Sequence, residues 1–361
     1  MDNLSNGALL LFSGLVAFLI TAFSIPVVVR VANVKRLFDE PTQRKSHRKK
    51  IPTLGGISLF AGFTIAAGSF ISYQHMPSLQ YVLVASIIIF FIGMKDDLVG
   101  ITPLKKLLGQ IVAALVLIIP GNLSLSSLHG FFGIYHISPV TSVLITIFVI
   151  VLIINSINLI DGVDGLAASV GMLAATFFGV WFYLSGNPEY SLISVALFGC
   201  LFAFFWYNIS KGKYKIFMGD TGSLLMGLIL SVQVILFNQQ NIGLTSAFAL
   251  KSAPAVSIAV LILPMFDTLR VFIIRMIRGR SPFLADKNHL HHLLLRLDFS
   301  HIQTTILLML VNAAFIMLAL LLQHIGIFWL TLTIFTVATA ASILLERKVH
   351  KHNHHRAPND L

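Results

Sequence analysis

From residue 139 to residue 154 the chain reads PVTSVLITIFVIVLII, with no charged side chain in the run. Blocks like it recur from one end of the sequence to the other, and they decide the fold class. A bilayer core takes about 20 apolar residues of helix, and a chain built of many such blocks has no soluble core large enough to bury them. Charged residues are only 11% of the chain, against about 25% in a soluble domain. The sequence therefore predicts an all-α, polytopic membrane bundle, because backbone facing lipid must satisfy its own hydrogen bonds.

Eleven spans are predicted, at 7–29, 54–73, 79–94, 107–121, 139–157, 165–184, 190–208, 221–238, 253–274, 304–323 and 326–345. The loop 30–50 carries Arg30, Lys35, Arg36, Arg44, Lys45, Arg48, Lys49 and Lys50. The positive-inside rule puts that loop in the cytoplasm and the N-terminus outside. Alternation then leaves only Lys251, of 25 Lys and Arg, in an outer loop and puts the C-terminus inside. The first apolar run lacks a basic leader and a small-residue cleavage site, so it reads as a span and not as a signal peptide. One transmembrane domain is expected over 1–345, followed by a basic, His-rich cytoplasmic tail over 346–361, expected to be disordered. The net charge of +11 sits in loops and in the tail, the distribution that membrane orientation produces, so no nucleic-acid partner is expected. The single Cys200 lies in an apolar run and reads as a small buried hydrophobe.

The polar residues gather at predicted cytoplasmic helix ends. KDDLVGITPLKK holds Asp96, Asp97, Lys105 and Lys106; NSINLIDGVDGLA holds Asn155, Asn158, Asp161 and Asp164. KIFMGDTGS holds Asp220, Thr221 and Ser223; RSPFLADKNHLHHLL holds Asp286, Lys287, His289, His291 and His292; and HRKKIPTLGG ends a basic run in Pro and two Gly. Carboxylate and amide oxygens at loop ends suit Mg²⁺, which takes one or two carboxylates together with substrate phosphate oxygens. Lys, Arg and His beside them suit phosphate. Singly, each cluster has a plainer reading: Asp161, Asp164 and Asp220 serve equally as helix caps, Asp96 and Asp97 as a solvated pair, and the histidines as an interfacial patch. Together, four acidic clusters on one predicted face argue for a site. Asp267 stands apart inside an apolar span, where a charge is costly; with Arg270 at i,i+3 it is either half of a structural ion pair or the edge of the site. A secondary transporter is the competing class, but its acids belong near the membrane midplane.

The ordered set PTLGG, DD, NLIDGVDG, FMGDTGS and HLHH resembles the polyprenyl-phosphate N-acetylhexosamine-1-phosphate transferases over nearly the whole chain. These enzymes belong to the glycosyltransferase 4 superfamily. Leu290 interrupts the three consecutive histidines of the peptidoglycan-precursor branch, so the segment is more similar to the WecA/TagO branch, which uses UDP-N-acetylglucosamine (UDP-GlcNAc). The resemblance implies transfer of GlcNAc-1-phosphate to undecaprenyl phosphate, with UMP released. Another UDP-N-acetylhexosamine, or UDP-MurNAc-pentapeptide, is the alternative donor. It implies a multi-pass protein of the bacterial cytoplasmic membrane, active on its cytoplasmic face, in contact with lipid and compatible with a homodimer. It implies Mg²⁺, with Mn²⁺ as a substitute, held by Asp220 with Asn158. Asp96 or Asp97 would be base or orienting carboxylate near the lipid phosphate, or Asp97 the nucleophile of a two-step route. Asp161 and Asp164 would shape the nucleotide and metal site, and Lys106 or Lys105 would contact the diphosphate. His289, His291, His292 and an arginine, Arg275 or Arg280, would line the donor pocket.

Overall fold

The computed structural model describes residues 5–37, 51–277, 279 and 288–356. The basic run 44–50, Arg280, Asp286 and Lys287 lie outside them. Among the described residues, thirteen α-helices follow one another: α1 (Asn6–Lys35), α2 (Gly55–Phe70), α3 (Leu79–Val99), α4 (Pro103–Ile118), α5 (Pro139–Ile160), α6 (Leu166–Leu184), α7 (Pro188–Ile209), α8 (Gly219–Gln240), α9 (Ala253–Val260), α10 (Ile262–Ile277), α11 (Leu290–Arg296), α12 (His301–Leu322) and α13 (Ile327–Arg356). Seven of them are long and apolar enough to cross a membrane unaided, and the bent α9–α10 pair would make eight. Each of the eleven expected segments coincides with a helix, or with that pair. The shortest, α2 and α4, have 16 residues each, about 24 Å at the helical rise and less than a bilayer core of ~30 Å.

Helix α8 is the axis of the bundle. Every residue from Thr221 to Asn238 is buried, surrounded by α2, α3, α5, α6, α7 and α9. A helix that is apolar all round and enclosed by protein has no lipid-facing side to define. Helix α1 packs on α7 and α2, and α6 packs on α7.

The ninth apolar segment does not cross in one piece. It bends by 82° between α9 and α10, and the cause is local. Pro264 has no N–H to give the carbonyl of Val260 four residues back, so the helix cannot run through. Buried Asn312 of α12 repairs the break: its Nδ2 donates to the Val260 carbonyl at 3.0 Å, and its Oδ1 accepts from the Leu263 amide at 3.4 Å. Asp267 therefore lies on the second half of a broken helix, and not within a continuous span.

The end of the chain departs from expectation. Helix α13 continues through Arg356, so residues 346–356 extend the last helix where a disordered tail was expected. Tertiary contacts hold the extension: Glu346 pairs with Arg270, Val349 is buried, and His352 lies 3.2 Å from Asp298.

Replacing Asn312 by Leu removes both partners of the broken turn and leaves buried backbone groups unpaired. The expected cost is about 1–3 kcal/mol, read as a lower unfolding temperature in detergent, with Thr339→Val on the exposed side of α13 as the neutral control.

Candidate active site

The helix ends that carry the acidic clusters meet. Consecutive residues of a helix point about 100° apart, and α3 uses this to send Asp96 and Asp97 to different partners. Asp97 faces α8. Its Oδ1 accepts from the Asp220 amide at 2.7 Å; its Oδ2 accepts from the Thr221 amide at 2.9 Å and the Thr221 hydroxyl at 2.6 Å. A carboxylate from another helix thus satisfies the open amides at the start of α8 and complements its dipole. Gly219 makes this approach possible: its φ is +70°, and a Cβ there would sit 2.0 Å from the Thr53 carbonyl oxygen and 2.8 Å from both Asp97 oxygens.

Asp96 faces α4. Its Oδ1 accepts from the Ile101 amide at 2.9 Å, and its Oδ2 is 3.1 Å from Lys106 Nζ. The same ammonium lies 2.9 Å from Asp220 Oδ1 and 3.3 Å from Asn158 Oδ1. Asn158 Nδ2 donates to Asp220 Oδ1 and, at 2.8 Å, to Ser223 Oγ. One helical turn further from this centre, the amides of Gln110 and Asn155 pair reciprocally, at 2.7 and 3.3 Å, and fix α4 against α5 so that Lys106 and Asn158 meet. Lys105 is exposed and makes no ion pair among the described residues. The structure thus separates the two lysines that the sequence could not.

Asp161 and Asp164 also diverge. Asp164 is bound up: Lys215 Nζ is 2.6 Å from its Oδ2, His301 Nδ1 lies 3.5 Å from the same oxygen and 3.3 Å from its amide nitrogen, and its carbonyl accepts from Thr305 at 2.9 Å. Although burial opposes ionisation, the hydrogen bonds and charges of His301 and Lys215 hold the Asp164 carboxyl below the usual carboxylate value. Asp161, at the C-terminal end of α5, has no side-chain hydrogen bond or ion pair among the described residues. Burial, and then the negative charges of Asp220, Asp97 and Asp164, push its carboxyl up to about 7.

Among the described residues no cation pairs with this carboxyl. Among the described residues no three His, Cys, Asp or Glu side chains are already gathered as a metal cage. Mg²⁺ does not require one, since it keeps waters and takes substrate oxygens beside one or two carboxylates. Asp220, Asn158 and Asp161 supply hard oxygens of that kind, so the residue types fit the ion.

The histidine segment forms α11. His289 and His291 are buried, with rings 5.7 Å apart and nearly parallel; the rings of His291 and His292 are 4.3 Å apart. His291 rests on the acid loop, where a Cβ on Gly162 would lie 2.7 Å from its Nε2. Burial, then the charges of His292, His289 and His301, lower the His291 imidazole to about 3, so it is neutral at physiological pH. Arg275 is buried in the last turn of α10, its guanidinium 5.9 Å from the Phe272 ring centre. Sequence reasoning missed Lys215, His301, Gln110 and Glu346. Lys215 lies in KGKYK, which reads as one more basic loop, and His301 has no neighbouring motif.

Two outcomes follow from this geometry. Asp97→Asn, which turns an amide NH₂ toward donors, should destabilise the protein by about 1–3 kcal/mol with no substrate present, whereas Lys105→Ala should leave the unfolding temperature unchanged. The second concerns pH. Because Asp161 rises from 3.8 to about 7, the folded protein holds a proton there that the unfolded chain has lost. Stability therefore falls as pH rises through that window and recovers when a cation replaces the proton. Compared with Asp161→Asn, the unchanged protein should lose more thermal stability between pH 5 and pH 8, and should regain more from added Mg²⁺ at pH 8 than at pH 6.

The comparisons with known proteins point to one family. The family model for glycosyl transferase family 4 matches residues 79–238, the stretch from α3 through α8. A decaprenyl-phosphate N-acetylglucosaminephosphotransferase of Mycobacterium leprae is 34% identical over 319 residues, covering 82% of this chain and 79% of its own length. Undecaprenyl-phosphate alpha-N-acetylglucosaminyl 1-phosphate transferases are similar at 28% identity. That of Salmonella typhi aligns over 82% of this chain and 79% of its own length, and that of Escherichia coli K12 over 89% and 86%.

Proposed function

The chain belongs to glycosyl transferase family 4, and from that premise we propose that it transfers GlcNAc-1-phosphate from UDP-GlcNAc to a polyprenyl phosphate, undecaprenyl phosphate in the first instance. One observation carries the reading at the level of chemistry. Asp96, Lys106, Asn158, Asp220 and the unneutralised Asp161 converge at one end of the bundle, beside a histidine helix resting on the same loop. The relatives act on a polyprenyl phosphate and an N-acetylglucosaminyl phosphate, two anions that such a cluster can bring together.

An oxygen of the acceptor phosphate attacks the β-phosphorus of the donor. The bond from that phosphorus to the oxygen bridging the α-phosphate breaks, and UMP leaves with the electron pair. The acceptor is already an anion at neutral pH, so the demand on the protein is charge neutralisation and alignment, more than proton removal. Lys106 supplies positive charge between Asp96 and Asp220. Bound Mg²⁺, held by Asp220 and Asn158 with Asp161 beside them, would supply further neutralisation at the diphosphate. Asp97 holds the start of α8 in register and so sets where Asp220 points. Its two oxygens already accept three hydrogen bonds, which favours direct attack by the acceptor over a covalent aspartyl intermediate on Asp97. Asp164 braces the loop through Lys215 and His301, and leaves the substrate-facing role to Asp161.

The finer topology belongs to the same reading: eleven spans, N-terminus outside, C-terminus and site in the cytoplasm, in a bacterial inner membrane. All Lys and Arg but Lys251 support it, with Arg270 at the inner end of its segment.

Purified protein in detergent, given undecaprenyl phosphate, Mg²⁺ and UDP-GlcNAc, should release UMP. Release should stop with EDTA. It should fall by at least about 100-fold in Asp220→Asn and Lys106→Ala, and little in Lys105→Ala. UMP only from UDP-GalNAc or UDP-MurNAc-pentapeptide would change the donor; no UMP from any of the three, with folded protein, would overturn the function.

A further inference from the structure

Asp267 takes no part in the acidic centre, yet it is among the most heavily engaged side chains of the protein. It is buried on α10. Its Oδ2 lies 2.9 Å from Nδ1 of His289; its Oδ1 accepts from the Leu290 amide at 3.0 Å and from Arg270 at 3.1 Å. Arg270, also buried, donates onward to the Asn288 carbonyl and to Glu346 of α13. One carboxylate thus ties the first residues of the histidine segment to α10, and one arginine ties both to the terminal helix.

Apolar packing holds α11 in part: Leu290, Leu293 and Leu294 are buried, and Leu290 and Leu294 line an open apolar cavity of about 190 Å³ shared with α10, α12 and α13. Apolar contact is not directional, and the hydrogen bonds of Asp267 add the direction it lacks. His289 makes no hydrogen bond through Nε2 among the described residues, and its ring stacks on His291, whose Nε2 rests on Gly162 of the acid loop. The line of contact runs from a buried carboxylate, through two imidazoles, to the catalytic loop.

We propose that Asp267 is the positioning residue of the histidine segment: it holds the proton of His289 on Nδ1, leaves Nε2 for the sugar nucleotide, and is itself held by Arg270 and Glu346. The inference rests on the reading of this site as a sugar-nucleotide transferase, and it gives the terminal helix a part in donor binding. The physical basis is general: a buried carboxylate on one imidazole nitrogen fixes the tautomer and the direction of the other. Asp267 touches no substrate and acts through His289.

Two measurements test it. In protein labelled with [¹⁵N]histidine, the His289 signals, assigned by their loss in His289→Asn, should show a protonated Nδ1. An unprotonated Nδ1 in the wild-type protein would overturn the proposal whatever the enzyme's substrate. The second is a double-mutant cycle on kcat/KM for UDP-GlcNAc. Asp267→Asn should lower it by about 10- to 100-fold, and should cost nothing more in a His289→Ala background, because the two act as one unit. Glu346→Gln, at the half-exposed end of the network, should lower it by a few-fold and lose that effect in the same background. It serves if Asp267→Asn does not fold. Equal losses with and without His289 would overturn the proposal while leaving the transferase reading intact. Absence of turnover in the wild-type protein would instead refute that reading, with the labelling result still deciding the tautomer.

Discussion

The site depends on one interaction across helices: the Asp97 carboxylate on the amides that open α8. That helix runs through the bundle wrapped in protein, so its N-terminal donors have little water to turn to. A carboxylate from α3 satisfies them, and the Thr221 hydroxyl closes the arrangement. The same contact sets where Asp220 begins its helix and hence where its side chain meets Lys106 and Asn158. Stability and chemistry share one anchor here. A loss of activity on changing Asp97 therefore says nothing by itself about acid–base or nucleophilic work.

Around that anchor the negative charges are divided between roles. Asp164 is neutralised by Lys215, and Asp96 and Asp220 share Lys106. Among the described residues Asp161 has no hydrogen-bonding or ionic side-chain partner, and burial, then the charges of Asp220, Asp97 and Asp164, push its carboxyl up to about 7. With two lysines set among five carboxylates, the cluster keeps an excess of negative charge that suits an added cation, and two phosphate-bearing substrates demand one. The histidine helix rests on the Gly162 loop and is itself held by the buried carboxylate of Asp267, so it and helix α8 rest on the same device: a charge placed to orient something else.

Much of this was legible in the sequence because its causes are local or additive. Apolar blocks located the helices, seven or eight of them long and apolar enough to cross a membrane, and the motifs located the acids and histidines that meet at one end of the bundle. What escaped depends on contacts between distant residues. The break at Leu261 has a visible cause in Pro264, but its repair by Asn312 joins residues 49 and 52 positions apart. Adjacent Asp96 and Asp97, and Lys105 and Lys106, are equivalent on paper and are told apart only by which neighbouring helix each faces. Lys215 and His301 looked like background charge until folding set both beside Asp164. The tail reads as solvated because its composition is basic and His-rich, yet Glu346 and Val349 give it enough tertiary contact to stay helical.

The most direct test of the account is to follow the phosphorus itself. With UDP-GlcNAc carrying ³²P in the β-phosphate, undecaprenyl phosphate, Mg²⁺ and the purified protein, the account predicts that label moves into the organic phase together with GlcNAc, while unlabelled UMP stays in water. Label remaining in the aqueous phase, or GlcNAc reaching the lipid without it, would contradict transfer of the sugar phosphate as a unit.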